Sequence, residues 1–230
     1  MQEKPFERII TASATEGHVS ALVMDEFHHF EVNILHDDRF VTDISGIGHR
    51  VPWTTCPGAI KQLSVFVGVA LSPTLVGATH GIDASEQCTH LLDLAKLAVA
   101  HATRGGTRLY HVVVSPAAAH EDCTAEIWCN GGRALAWQVS GDQIVGSGPF
   151  SGHHLGGRAV WPDGAAFDRD TLEAAVILRR GVRMFRGRRQ YRPDMVRATD
   201  LPFLAGACFT FHRDRIDDAL STTADMTTRA

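Results

Sequence analysis

Residues 83–106 read DASEQCTHLLDLAKLAVAHATRGG, and the spacing of apolar residues in this stretch decides the fold. Cys88, Leu91, Leu92, Ala95, Val99 and Ala102 recur at intervals of three and four, which predicts a helix over Ser85 to Thr103 with one core-facing stripe. Asp83 with Glu86 three residues on is a capping-box start, and Gly105-Gly106 after Arg104 is the matching stop. Such a stripe needs a surface to cover it. Upstream, Val19, Ala21 and Val23 alternate with Ser20, Leu22 and Met24, and Phe30, Val32 and Ile34 repeat the same period of two. The acidic pairs Asp25-Glu26 and Asp37-Asp38 punctuate these runs, so an antiparallel meander is expected, with Phe40 to Ile47 as its third strand. Pro52, Pro57 and Gly58 break the pattern, and a short helix is expected over Ala59 to Val67.

The same order recurs downstream. Strand patterns at Leu109 to Val114, Thr124 to Cys129 and Ala134 to Val139, with Asn130-Gly131-Gly132 as a hairpin turn, precede a second helix. Asp168 or Asp170 caps that helix, and Leu172, Ala175, Val176, Arg179 and Val182 carry it toward Phe185. Segregated antiparallel strands and helices predict the α+β class. The expected architecture is two antiparallel meanders, each followed by a packing helix, in one compact unit or two similar halves. The segments are 1–105 and 106–220, with a frayed tail at 221–230. Gly146 to Asp163, rich in Gly, His and Pro, reads as a loop.

Composition excludes several classes of function. With 22 Lys and Arg against 26 Asp and Glu in 230 residues, the net charge of −4 has the wrong sign for a general nucleic-acid binder. The arginines at 179, 180, 183, 186, 188, 189 and 192 are explained by helix-dipole complementarity and solubility, or more narrowly by one of them clamping a substrate carboxylate. Leu63 to Ala78 carries Ser64, Ser72, Pro73 and Thr74 and falls short of the about 20 residues a membrane helix needs. Met1 to Ala14 carries Glu3, Lys4, Glu7 and Arg8 and does not read as a secretory signal. Five cysteines without a C-x-x-C pair predict reduced thiols and a cytoplasmic protein. The expected partner is a small-molecule substrate, without nucleic acid or membrane, and a homo-oligomer stays open.

The sequence holds no G-x-G-x-x-G, no G-x-x-x-x-G-K-[ST], no H-E-x-x-H and no G-x-S-x-G. No cofactor is therefore expected. Thirteen histidines remain, and imidazole is the usual general acid or base near neutrality. Alternation puts His28 on the face of Phe30, Val32 and Ile34 and His29 on the face of Glu31 and Asn33, so one of the two points inward. An inward histidine is a poised base with Asp25 as its orienting acceptor, or a core histidine satisfied by a backbone carbonyl. Cys88 and His90 stand about 200° apart on a regular helix, too far around it to share one ion. His90 then lies on the side of Glu86, Asp93 and Lys96. It is a solvated histidine there, or another element covers that side and makes His90 and Asp93 an acid–base pair. The loop pair His153-His154 stays undecided.

Cys88-Thr89-His90-Leu91 resembles the Gly-Cys-Thr-His-Leu signature of a bacterial family of uncharacterised proteins, a domain of unknown function. The Asp25 to His29 segment with its following strand, and the turn from Pro52 to Cys56, are similar to that family over roughly positions 20 to 105. Gly206-Ala207-Cys208-Phe209 is a fainter echo, and Gln87 stands where the signature has Gly. The resemblance implies positions and no chemistry.

The first functional reading is a cofactor-independent lyase that breaks or rearranges a C–C or C–O bond in a small aromatic molecule. Its catalytic candidates are His28, Asp25, His29, His90 and Asp93, with Trp53, Trp128, Trp137 and Trp161 as pocket walls. The second is a metal-dependent hydrolase or metal-binding module with ligands drawn from His28, His29, His80, Cys88 and His90. The third is a non-catalytic small-ligand-binding protein. The two His groupings share a site only if His28 meets the N-terminal end of the helix. The opposite strand direction leaves them about 25 Å apart, at roughly 1.5 Å per helical residue.

Overall fold

Strands begin earlier than the apolar pattern indicates. In the computed structural model, which describes residues 3–75, 82–117, 122–156, 167–191 and 194–222, β1 (Phe6–Thr15) buries Phe6, Arg8, Ile10, Ala12 and Ala14 on one face. An inward arginine and two small alanines mute the alternation there. β2 (His18–Met24), β3 (His29–His36) and β4 (Val41–Arg50) follow as the expected antiparallel meander. Contacts within the chain divide it into two units, Ile10–Arg108 with Tyr191–Ala230, and Met1–Ile9 with Leu109–Gln190.

In the first of these, the strands lie in the order β4-β3-β2-β1. Val19, Ala21 and Val23 of β2 and Phe30, Val32 and Ile34 of β3 form one wholly buried face, and α1 (Thr89–Ala102) packs on both strands. The helix starts later than its sequence pattern. Asp83 instead caps a 3-10 turn at Ala84–Glu86, accepting from the Ser85 amide at 2.9 Å, and Cys88 is the N-cap of α1. Leu91, Leu92, Leu94, Ala95, Leu97, Ala98, Val99 and Ala100 are all buried, so α1 is covered on nearly every side rather than along one stripe. The short helix expected over Ala59 to Val67 is a 3-10 helix spanning Cys56–Phe66, with Pro57 in its first turn. It packs on β4 and α1, and Gly46 permits the approach, because a Cβ there would stand 2.8 Å from Leu63 Cδ1.

The C-terminal segment supplies the rest of this unit's cover. Trp53 bridges to Ser221 and Arg197 to Leu220, Phe209 N–H donates to the Gln87 carbonyl at 2.9 Å, and Arg215 pairs with Glu86 at 2.8 Å.

In the other unit, β5 (Gly106–Pro116), β6 (Cys123–Cys129), β7 (Gly132–Ser140) and β8 (Gln143–Val145) are sequential antiparallel neighbours. Asn130 and Gly131, at φ of 49° and 85°, make the hairpin turn between β6 and β7, where the left-handed region suits exactly this residue pair. α2 (Arg169–Arg188) is capped by Asp168, which accepts from the Thr171 amide at 2.9 Å, and packs on β6 and β7. Its arginines meet local acids: Arg186 pairs with Asp142 at 2.8 Å, and Arg188 and Arg189 reach Glu3 at 3.0 and 2.7 Å. The chain is thus α+β with antiparallel strands, and among the described residues no helix is long and apolar enough to cross a membrane.

Candidate active site

The turn between β2 and β3 is built around Asp25. Its amide donates to the His28 carbonyl at 2.9 Å, and its Oδ1 accepts from the amides of Phe27 at 2.9 Å and His28 at 2.8 Å. Aspartate at the first position of a tight turn favours this arrangement, because its short side chain reaches the amides two and three residues on. The same Oδ1 lies 2.9 Å from His28 Nδ1. A carboxylate oxygen already holding two N–H groups can only accept, so Nδ1 carries a proton, and in the neutral imidazole the lone pair then falls to Nε2. Asp25 has no exposed side-chain surface, whereas 10% of the His28 side chain is exposed, so the dyad is sealed at the carboxylate and open at the ring.

His90 completes the group. It is the second residue of α1, and its ring stacks on that of His28 with centroids 3.8 Å apart and planes 25° from parallel. Phe30 lies beneath both, 6.1 Å from His28 and 6.0 Å from His90. Donor atoms of Asp25, His28 and His90 all fall within 4.8 Å of one another, and all three residues are buried. The N-terminal end of α1 therefore meets the His28 end of β3. Burial of His90 follows from the cover on every side of α1, which a one-stripe reading of the helix does not contain.

The other candidates stand apart. His29 points to the opposite face of β3, its ring 4.4 Å from His49. Desolvation, with the nearby charges of His49 and Arg50, holds the His29 imidazole below its ordinary pKa. Asp93, three residues beyond His90, is half-buried on α1 and is not one of the three clustered donors. Cys88 is buried, and desolvation pushes its thiol far up. His80 and Trp161 lie outside the described residues. Trp53 is 2% exposed and Trp137 6%, so both belong to cores rather than to open pocket walls.

Trp53 nonetheless connects to the site at one remove. Its Nε1 donates to the Tyr191 hydroxyl at 3.1 Å, and the Tyr191 ring stacks 5.1 Å from Phe27, beside His28. Burial pushes the Tyr191 phenol well above its ordinary pKa, so it stays protonated. Arg50 donates from Nη2 to the Asp25 carbonyl. Neither Tyr191 nor Arg50 was a sequence candidate. Arg50 is legible in principle, since it pairs with His29 across the β3–β4 hairpin, but nothing local in the sequence links Tyr191 to position 27.

Residues 11–104 match the family described as Protein of unknown function (DUF2889). The match covers β2, β3, β4 and α1 and contains Asp25, His28, His90 and Arg50, while Tyr191 lies beyond it. No curated protein matches the chain.

Proposed function

We propose that this chain is an enzyme using Asp25, His28 and His90 for proton transfer without an organic cofactor, and that it acts as a lyase on a C–C or C–O bond of a small aromatic molecule. The observation that carries this reading is the buried carboxylate holding His28 Nδ1 at 2.9 Å while a second imidazole stacks at 3.8 Å. Asp25 fixes the tautomer and orientation of His28, and His28 Nε2 removes a proton from the substrate. His90, on the neighbouring ring, returns a proton to the departing or rearranged group. The Phe27–Tyr191 stack offers a flat apolar neighbour for an aromatic ring. Cys56, Cys88 and Cys123 are buried as thiols, which agrees with a reducing, cytoplasmic setting.

A second reading, a metal-dependent hydrolase or metal-binding module, is favoured by the three donors within 4.8 Å. Imidazole lone pairs lie in the ring planes. Rings stacked at 25° keep those lone pairs in two nearly parallel planes, so a common ion at about 2.1 Å from each requires one ring to turn. The acid–base reading needs no such movement and is preferred.

The test is a screen of β-hydroxylated aromatic acids and ethers with purified protein in the presence of chelator, followed by single replacements of the histidines. His28→Gln and His90→Gln are expected to lower kcat about 10²-fold or more, and His29→Gln to leave it within about twofold. Full activity in both His28→Gln and His90→Gln would sink the proposal. Stoichiometric zinc, iron or manganese in purified protein, with activity lost to chelator, would promote the metal reading instead.

A further inference from the structure

Arg50 is not one of the arginines that pair closely with an acid among the described residues. Arg133, Arg186, Arg188, Arg189 and Arg215 each pair with a carboxylate at 2.7–3.0 Å. Arg50 is half-buried and ends the β4 strand, and its hydrogen bond runs from Nη2 to the backbone carbonyl of Asp25. No carboxylate pairs with it among the described residues, and its Nε–H is buried without an acceptor. A guanidinium is always charged and carries five donors in a planar fork, so Arg50, with Nη2 on the Asp25 carbonyl and no carboxylate partner, brings a cation and its remaining Nη donors beside Asp25.

Its surroundings add to this positive character. His29 lies directly across the hairpin from Arg50, and after desolvation and the His49 charge, the Arg50 charge also lowers the pKa of that imidazole. His90 sits in the first turn of α1, the end of a helix that favours negative charge. Arg50 and His28 also hold the same residue, one through the Asp25 carbonyl and the other through its carboxylate. An anion on Arg50 therefore lies within one small molecule's length of His28.

We propose that Arg50 anchors a carboxylate of the substrate, so that the site takes small aromatic acids. A carboxylate matches both the charge and the in-plane donors of a guanidinium, and Phe27, whose amide is held by the same Asp25, carries the Tyr191 stack as a surface for the ring. This assignment of substrate class rests on the acid–base reading of the Asp25–His28–His90 group.

The binding half of the test needs no known substrate, and the activity half uses whichever substrate the screen above identifies. The Arg50 Nε–H is followed as a ¹H–¹⁵N resonance at low temperature and mildly acidic pH, identified by its disappearance in Arg50→Gln. Benzoate, titrated at constant ionic strength, is expected to shift that resonance saturably, and neutral benzamide to leave it in place. Arg50→Gln, followed through the His28 and His90 ring resonances, is expected to bind benzoate at least tenfold more weakly. Arg50→Lys, which keeps the charge and loses the fork, should fall between the two and serves if Arg50→Gln does not fold. No saturable shift with benzoate, an equal response to benzamide, or undiminished affinity in the folded variants would overturn the anchor. His28→Gln is expected to keep benzoate affinity within twofold. A fully active His28→Gln with benzoate binding intact would thus refute the acid–base reading alone, whereas failure of benzoate to bind while His28 remains essential would refute the anchor alone.

Discussion

Asp25 performs two tasks with one oxygen, and they separate by substitution. Its Oδ1 holds the Phe27 and His28 amides, which shape the turn, and it holds His28 Nδ1, which orients the ring. Asp25→Ala leaves three donors without their acceptor and is expected to cost about 2–4 kcal/mol, read as a lower denaturation midpoint. Asp25→Asn keeps an oxygen for all three donors but removes the negative charge that favours a proton on Nδ1, an amide oxygen being the weaker acceptor. It is expected to retain most of the stability and lose the fixed Nδ1–H tautomer, visible as a redistribution of His28 ring ¹⁵N shifts and a displaced pH–rate profile. A purely structural Asp25 would show the stability change without the change in tautomer. This dyad was legible in the sequence because its members are three residues apart and alternation points His28 inward. His90 was legible only as a choice between solvent and cover, since a helical pattern reports which side of a helix is apolar and not what else packs against it. Tyr191 had no local signal, because its contact with Phe27 is made by chain that returns late in the sequence.

At the scale of elements, regular periodicity read well and small residues read poorly. The β2–β3–β4 meander, the β6–β7 turn and the cap of α2 all follow from alternation and turn chemistry. β1 carries little alternation because Arg8 faces inward and Ala12 and Ala14 give little apolar contrast, and the Cys56–Phe66 segment, with Pro57 in its first turn, takes 3-10 geometry. Gly181 in the middle of α2 looks like a flaw by propensity, where Ala is better by about 1 kcal/mol. The structure gives it a purpose, because a Cβ there would stand 2.6 Å from Val112 Cγ1 of β5. Gly181→Ala is therefore expected to destabilise the protein by about 1–3 kcal/mol despite the gain in propensity. Val112→Ala combined with Gly181→Ala should recover part of that loss, so the double-mutant cycle yields a favourable coupling. Simple additivity, or stabilisation by Gly181→Ala alone, would show that the helix is free to lift from the strand.

For the whole molecule, the matched segment and the physical unit differ in extent. The family match ends at residue 104, yet the unit containing the site also includes residues from Tyr191 onward. Trp53 is 2% exposed because of that segment: Tyr191 accepts its indole N–H, Phe211 packs edge-on at 5.7 Å, and Ser221 bridges to its backbone. Cys56 likewise sits against Thr210, and burial pushes its thiol up to about 11. A fragment of residues 10–108 keeps the strands and α1 but uncovers both side chains. Trp53 is the single tryptophan in that range, so its emission is a clean reporter. The fragment is expected to show solvent-exposed emission and rapid alkylation of Cys56 at pH 8, where the full chain holds little Cys56 thiolate and reacts slowly. The linkage runs in one direction: a raised thiol pKa stabilises the folded unit below the ordinary thiol range, and that contribution fades as pH climbs toward 11. Joining residues 191–222 to the fragment by a flexible linker should restore buried emission and slow alkylation together. A bare fragment with buried Trp53 and unreactive Cys56 would instead make residues 11–104 a self-sufficient fold, with Tyr191 an addition to the site rather than part of what holds it.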